Sequence, residues 1–110
     1  MSDPVFNPAA LKRLKKIHRL SQQYNQHVGM PHDKRLFELI VYHVPEIQAL
    51  YNQGDRHFVT ETGDLWVLCC ELLLEAGADI DGSLNHCFER YEKKLSALIK
   101  DAEDKSAQDA

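Results

Sequence analysis

Apolar residues recur at helical spacing through most of the chain. Near the start, Leu11, Leu14 and Ile17 are three positions apart, a spacing that keeps them on one face of an α-helix. Segments with helical patterns are residues 9–27, 34–52, 56–76 and 79–100. No segment is rich in β-forming residues, so the pattern predicts an all-α chain with four main helices joined by short connections.

Glycines mark the connections between these helices. Gly29 separates the first helix from the second, and Gly54 lies in the turn before the third. Gly77 is expected to end the third helix, because glycine is the usual residue just past a helix C-terminus. Either Asp79 or Asp81 then caps the fourth.

The second helix contains two residues that affect its shape. Asp33 is a suitable N-cap, since its carboxylate can accept a hydrogen bond from a free backbone N–H. Pro45 lies inside the helical pattern, where proline removes one backbone hydrogen bond at a cost of about 3 kcal/mol. The sequence predicts either a bend at residues 42–44 or two shorter helices.

The third helix is apolar on most of its sides. Residues 65–74 are apolar except for Glu71, and such a helix belongs in the middle of a bundle or at a subunit interface. A chain of 110 residues is long enough for one domain, and a domain of this size gains from oligomerisation. We expect an irregular arm at residues 1–8, a single all-α domain at residues 9–100, and a polar, disordered tail at residues 101–110.

Charge and composition exclude several classes of function. The net charge is −4 and the pI about 5.8, which argues against a general nucleic-acid binder and against binding to an anionic membrane. No apolar run is long enough to span a bilayer, and the N-terminus lacks the pattern of a signal peptide. The sequence therefore predicts a cytoplasmic protein. Its cysteines, Cys69, Cys70 and Cys87, form no disulfide framework and are expected to be buried free thiols.

Ligand-type residues follow a paired pattern on the second and third helices. The pattern is His43-x-x-Glu46, fourteen residues, then Glu61-x-x-Asp64. Residues three apart lie on one face of a helix, so an antiparallel hairpin can bring the two pairs together. Carboxylates so close require a proton or a cation between them, and oxygen-rich clusters suit Mg²⁺ or Mn²⁺. Alternatively, the acids only favour a helix start, and His43 is a hydrogen-bonded core or interface residue.

This pattern resembles the MazG-like, all-α nucleoside triphosphate pyrophosphohydrolases. Their motif is E-x-x-E, a connection, and E-x-x-D, and Glu61-Thr62-Gly63-Asp64-Leu65 matches its second half. Gly77-Ala78-Asp79-Ile80 resembles the family's turn into its last helix, and Asn52-Gln53-Gly54-Asp55 its hairpin turn. The resemblance covers residues 11–98.

The resemblance implies a four-helix bundle completed as a homodimer or homotetramer. It implies Mg²⁺, with Mn²⁺ as an alternative, held by His43, Glu46, Glu61 and Asp64, of which the three acids would be catalytic. The substrate would be a (deoxy)nucleoside triphosphate, hydrolysed to pyrophosphate and a nucleoside monophosphate. Basic residues that could contact its phosphates are Lys34, Arg35, Arg90, Lys93 and Lys94.

The chain also departs from the family's motif. His43 stands where the family has glutamate, and imidazole is a poor ligand for Mg²⁺ but a better one for Mn²⁺, Zn²⁺ or Ni²⁺. Pro45 replaces a small residue, and the last helix has Asn85-His86-Cys87-Phe88 where the family has a lysine and an asparagine. An alternative is therefore a non-catalytic helical module that binds a nucleotide or protein partner through a degenerate metal site. A third is a small adaptor with no ligand.

Overall fold

The computed structural model describes residues 4–109, which form four α-helices and no β-strand. The helices are α1 (Pro8–His27), α2 (His32–Asn52), α3 (Phe58–Glu75) and α4 (Ile80–Asp109). The all-α class predicted from the apolar spacing is confirmed. Residues 1–3 of the predicted arm and residue 110 of the predicted tail lie outside the described residues.

The chain divides into two compact units, and each is described by itself. The larger unit, residues 6–80, contains α1, α2 and α3. The smaller unit consists of residues 4–5 and 81–109 and contains almost all of α4. All four predicted metal ligands belong to the larger unit, so its three helices position the site.

Within the larger unit, α2 and α3 form an antiparallel hairpin. Tyr51 and Phe58 lie close to the connection, with ring centroids 5.2 Å apart. Farther from the turn, the Nε2 atom of His43 is 3.4 Å from Oε2 of Glu61. The second contact is farther from the turn than the first on both helices, so the two helices run in opposite directions. Their mutual contact is more extensive than the contact that either makes with α1.

The first helix, α1, runs parallel to α3 along the side of this hairpin. His18 of α1 lies beside Glu71 of α3, with Nδ1 and Oε1 3.5 Å apart. One turn later, Nε2 of Gln22 donates a hydrogen bond to Oε2 of Glu75 over 3.1 Å. Both pairs advance by four residues in the same direction. The three helices therefore alternate in direction, and α1 and α3 share a long face.

Local sequence signals fix the ends of the helices. The side-chain oxygen of Asn7 accepts the backbone N–H of Ala10 at 2.7 Å, and Pro8 occupies the first turn of α1, where it displaces no hydrogen bond. Gly54 and Gly77, just past α2 and α3, both have a φ angle of +72°. This left-handed conformation is the one in which glycine commonly ends a helix. Both glycine positions agree with the sequence-based predictions.

The second helix, α2, excludes one of the two alternatives predicted at Pro45 and differs from the prediction at Asp33. It is one helix from His32 to Asn52 with Pro45 inside it, so it is not divided into two shorter helices. It begins before Asp33, and Pro31 occupies the N-cap position. Asp33 lies in the first turn and accepts the backbone N–H of Lys34 at 2.8 Å, so the N-cap prediction for Asp33 was wrong.

The buried core contains polar as well as apolar side chains. Apolar residues with less than a tenth of their surface exposed are Leu14, Leu36, Cys70 and Ile80. Polar residues buried to the same degree are His18, Asn25 and Glu71. Buried polar groups are costly unless they are paired, so this part of the core requires a chemical explanation.

The fourth helix, α4, continues to Asp109, through most of the segment for which the sequence predicted a disordered tail. Alanine, glutamate, lysine and glutamine, which make up much of residues 101–109, are strong helix formers, so local propensity outweighs the polar composition. Apolar residues of α4 that remain about half exposed are Phe88, Tyr91, Leu95, Leu98 and Ile99. Among the described residues, no helix has the length and apolar character needed to cross a membrane.

The three cysteines are free thiols in different environments. Cys70 is buried, Cys87 is half-buried and Cys69 is exposed, so the expectation of burial fails for Cys69. Desolvation raises the pKa of the Cys69 thiol. Burial also raises the pKa of the Cys70 thiol, and the neighbouring Cys69 raises it further.

Candidate metal centre

The α2–α3 hairpin brings together three of the predicted metal ligands. These residues, His43, Glu61 and Asp64, are named the hairpin group. Each offers one ligand-type atom, and the three atoms lie within 4.8 Å of one another. His43 and Glu61 are half-buried between the helices, whereas Asp64 is exposed. The group therefore has a fixed side within the protein and an open side toward solvent.

Backbone contact holds the His43 ring in a defined orientation. Its Nδ1 atom lies 2.7 Å from the carbonyl oxygen of Leu39, one turn earlier in α2. A carbonyl oxygen can only accept, so Nδ1 carries the proton and donates it. In the neutral ring, Nε2 then carries a lone pair, and it lies 3.4 Å from Oε2 of Glu61. Metal-binding histidines are commonly held in this way, with the outer ring nitrogen bonded to a carbonyl group.

Glu61 connects the hairpin group to a second histidine. Its Oε2 atom faces His43, and its Oε1 atom is 3.2 Å from Nε2 of His57. His57 precedes α3 and is exposed. The sequence analysis did not select it, although its position four residues before Glu61 is a spacing that brings helical side chains together.

Glu46, the fourth predicted ligand, does not belong to the hairpin group. It is half-buried on α2, three residues closer to the turn than His43. On the antiparallel α3, the step from Glu61 to Asp64 leads away from the turn. Glu46 and Asp64 therefore extend in opposite directions from the level of the His43–Glu61 pair.

The predicted phosphate contacts are distributed over both units. In the larger unit, Lys34 is exposed, and Arg35 forms an ion pair with Glu38 at 3.7 Å. The remaining three, Arg90, Lys93 and Lys94, are exposed residues of the smaller unit.

Two of these cations contact an aromatic ring in the smaller unit. The Arg90 guanidinium and the Lys94 ammonium lie 5.3 and 5.9 Å from the centroid of the Tyr91 ring. Both distances are within the range of cation–π attraction. These side chains therefore already have a partner on their own helix.

The donor set of the hairpin group suits a divalent cation. One imidazole nitrogen and two carboxylates form a mixed set that favours Mn²⁺ and other transition metals over Mg²⁺, which prefers oxygen ligands. The exposed carboxylate of Asp64 leaves the remaining coordination positions accessible to water or to a phosphate. Without a cation, the same histidines can pair with Glu61 in their protonated form.

An apolar cavity of about 190 Å³ lies between α1 and α3 in the larger unit. Leu14, Ile17, Trp66 and Cys70 are among its lining residues, and Arg13 is the cation among them. Trp66 is about half exposed, and its ring centroid lies 6.3 Å from that of Phe6.

A second histidine–carboxylate group was missed by the sequence analysis. It consists of His18, His32 and Glu71, one residue from each helix of the larger unit, and is named the buried group. Two signals could have indicated it. Glu71 is the single charged residue in an apolar run, and His18 follows Leu14 by four positions on the apolar stripe of α1.

Comparison of the chain with models of protein families, with curated proteins and with solved structures finds no match. The MazG-like resemblance therefore depends on the motif and on the helical pattern that carries it. Any assignment of function has to be argued from the geometry of the sites.

Proposed function

We propose that this chain is a divalent-metal-dependent nucleoside triphosphate pyrophosphohydrolase, with the hairpin group as the core of its metal centre. The observation that carries the proposal is the convergence of His43, Glu61 and Asp64 within 4.8 Å. The same residues form part of the paired motif that resembles the pyrophosphohydrolases. A motif match alone is weak, and the meeting of these side chains in space adds to it.

Each residue of the hairpin group has a distinct part in this proposal. His43, held by the Leu39 carbonyl group, presents Nε2 as a fixed ligand atom. Glu61 provides a half-buried carboxylate whose orientation is supported by His57. Asp64 provides an exposed carboxylate at the open side, where a triphosphate can approach. Glu46 remains a proposed ligand or base whose role has to be tested by substitution.

A bound divalent cation would supply Lewis-acid stabilisation of the phosphate charge and a more acidic water molecule. The donor set makes Mn²⁺ the better expected cation and Mg²⁺ the weaker one, because one of three donors is an imidazole. The protein contributes by holding its ligand atoms in place before the substrate arrives, which avoids reorganisation during the reaction.

Self-association as a homodimer or homotetramer belongs to the same proposal. The exposed apolar side chains of α4, such as Phe88 and Leu95, support it, as do Phe37 and Val41 on α2. Exposed apolar patches of this kind often mark protein–protein interfaces. Light scattering coupled to size-exclusion chromatography measures the oligomeric state directly.

The activity is tested with purified full-length protein and a panel of canonical and modified nucleoside triphosphates. Release of pyrophosphate and a nucleoside monophosphate is measured with Mg²⁺ and with Mn²⁺. We expect turnover that is stronger with Mn²⁺ and that is lost in Glu61→Gln. Glu38→Gln is the matched control, because Glu38 is an exposed glutamate on α2 outside the hairpin group. Absence of turnover with both metals and every nucleotide would remove the proposal.

A non-catalytic module is the second candidate, and one observation favours it. Glu61 and His43 of the hairpin group already have partners, since Glu61 lies between His43 and His57 at 3.4 and 3.2 Å. Protonated histidines could satisfy this carboxylate without a metal. Under this alternative, isothermal titration would detect nucleotide binding without turnover, and His43→Glu would strengthen the binding of Mg²⁺.

A further inference from the structure

The buried group lies where all three helices of the larger unit meet. His18 belongs to α1, His32 is the first residue of α2, and Glu71 belongs to α3. One ligand-type atom of each lies within 4.8 Å of one from each of the others. His18 and Glu71 are only 8% and 3% exposed, and the side chain of His32 is 13% exposed. The buried group therefore has no exposed member, unlike the hairpin group, which includes Asp64.

Each member of the buried group has one polar atom without a hydrogen-bond partner. Among the described residues, the buried side-chain nitrogen and oxygen atoms in this condition are Nδ1 of His18, Nε2 of His32 and Oε1 of Glu71. An unsatisfied buried donor or acceptor is expensive, and such atoms are rare in native proteins. That all of them occur in one group indicates a shared partner.

The outer nitrogen of each ring is supported by a polar side chain. Nε2 of His18 is 3.0 Å from Oε2 of Glu75, which also accepts a hydrogen bond from Gln22. Nδ1 of His32 is 2.8 Å from the carboxamide nitrogen Nδ2 of Asn25, itself only 3% exposed. A rotation of this carboxamide by 180° places its oxygen at Nδ1 instead. In that orientation Nδ1–H donates to the Asn25 oxygen, and Nε2 of His32 keeps its lone pair.

This arrangement matches the second shell of a metal-binding histidine, in which the outer ring N–H is donated to a carboxylate or amide oxygen. Protonation of His18 alone does not explain the group equally well. An added proton on Nδ1 could face Oε1 of Glu71, although 3.5 Å is long for a hydrogen bond. Nε2 of His32 would still be unsatisfied, because its nearest acidic partner, Oε2 of Glu75, is also 3.5 Å away.

We propose that His18, His32 and Glu71 form a buried binding site for a divalent transition-metal ion of the Zn²⁺ type, which links α1, α2 and α3. Two imidazole nitrogens and one carboxylate are a donor set used for Zn²⁺, with a water molecule as the fourth ligand, and they are a poor set for Mg²⁺ or Ca²⁺. The enclosed position gives this ion a structural role, separate from the cation at the hairpin group. The inference does not depend on the proposed enzymatic activity.

Metal binding at the buried group predicts stabilisation of the folded protein. An ion that binds only the folded state stabilises it in proportion to the logarithm of its concentration over the dissociation constant. With Zn²⁺ at about 100 times the dissociation constant, the midpoint of thermal unfolding should rise by about 10 °C. Circular dichroism of the full-length, chelator-stripped protein, with and without Zn²⁺, measures this shift.

Substitutions separate this site from the hairpin group. Glu71→Gln preserves the size of the side chain but replaces the carboxylate, and we expect a loss of Zn²⁺ affinity of about 100-fold or more. Asp64→Asn tests the hairpin group, and His27→Gln, at an exposed histidine of α1, controls for nonspecific binding. Both should keep the tight Zn²⁺ site. Glu75→Gln, which weakens the outer support of His18, should lower the affinity about 10- to 100-fold.

A measurement on the unsubstituted protein avoids dependence on variants that fold poorly. Titration with Co²⁺ should give visible absorption typical of a mixed nitrogen and oxygen ligand set, and the first equivalent of Zn²⁺ should abolish the part of it that the Asp64→Asn variant retains. The proposal is overturned if the stripped protein shows neither the absorption nor the thermal shift. It is also overturned if Glu71→Gln folds and binds Zn²⁺ as tightly as the unsubstituted chain, or if Asp64→Asn alone removes the tight site.

Discussion

The hairpin group and the buried group use the same kinds of side chain but differ in burial and in partners. In the hairpin group, Asp64 is exposed and Glu61 is paired with two histidines. In the buried group, each residue has an atom enclosed without a hydrogen-bond partner. An open group can exchange substrate and water, whereas an enclosed group can only hold what is inside. The two proposals therefore give similar ligands different roles, turnover at the open group and structural support at the more enclosed one.

The difference in burial also changes how each group affects the free energy of unfolding. The exposed carboxylate of Asp64 in the hairpin group remains solvated, so its charge contributes little to the free energy of unfolding in either direction. The charge of Glu71 is almost fully enclosed, and an enclosed charge must be compensated by a proton, a cation or hydrogen bonds. Stability measurements and activity measurements should therefore respond to different groups.

The largest expected effect on activity is at the hairpin group. Asp64→Asn should reduce the kcat/KM of pyrophosphate release by on the order of 10²–10³-fold, because an amide loses the negative charge that binds the cation. The thermal midpoint should stay almost unchanged, because Asp64 is exposed. Steady-state kinetics with Mn²⁺ measure the change, with Glu38→Gln as control. Full activity in Asp64→Asn would exclude it as a ligand.

The second prediction concerns stability, to which the buried group should contribute more than the hairpin group. In metal-free buffer, Glu71→Ala should lower the free energy of unfolding by about 3–5 kcal/mol, since it leaves His18 and the surrounding polar atoms without a buried partner. Asp64→Ala should change it by no more than about 0.5 kcal/mol, as expected for an exposed side chain. Urea denaturation followed by circular dichroism gives both values. Equal losses in the two variants would mean that the groups do not differ in burial as described.

A smaller effect concerns the choice of metal at the hairpin group. His43→Glu replaces the imidazole by the acid that the resembled motif carries, and it should raise the activity ratio of Mg²⁺ to Mn²⁺ by about tenfold, equivalent to about 1.4 kcal/mol. Parallel assays with the two metals measure the ratio. His57→Gln, at an exposed histidine near Glu61, tests whether any change at this carboxylate has the same result. An unchanged ratio in His43→Glu would show that His43 does not contact the cation.

Features that depend on neighbouring residues could be predicted from the sequence, whereas features that depend on how separate helices pack could not. Helix ends at Gly54 and Gly77 depend on neighbouring residues, and both were predicted correctly. The meeting of His43 with Glu61 could be anticipated because two consecutive helices with a short connection form a hairpin. The register of the hairpin separates Glu46 from Asp64, because it places His43 rather than Glu46 beside Glu61, and the pattern of spacings does not determine that register.

The buried group could not be predicted in the same way. His18, His32 and Glu71 come from three different helices, so no local spacing relates them. Their meeting depends on how α1 lies along the hairpin, which is a property of packing.

In α4, the polar composition of residues 101–109 suggested disorder, but the helix propensity of the same residues carries the helix to Asp109.

The smallest expected effect uses two adjacent thiols to report on the buried side of α3. Cys70 precedes Glu71 and is buried, whereas Cys69 is exposed. Ellman's reagent at about pH 8 should react several-fold faster with Cys69, which Cys69→Ser and Cys70→Ser variants can resolve. Because burial raises the pKa of both thiols, the thiolate fraction is small at this pH. Both rates should therefore rise steeply as the pH increases beyond about 9.

If Cys70 reacts as fast as Cys69, the α1–α3 face opens readily to solvent. A Zn²⁺-dependent slowing of Cys70 alone would show that the ion at the buried group closes it.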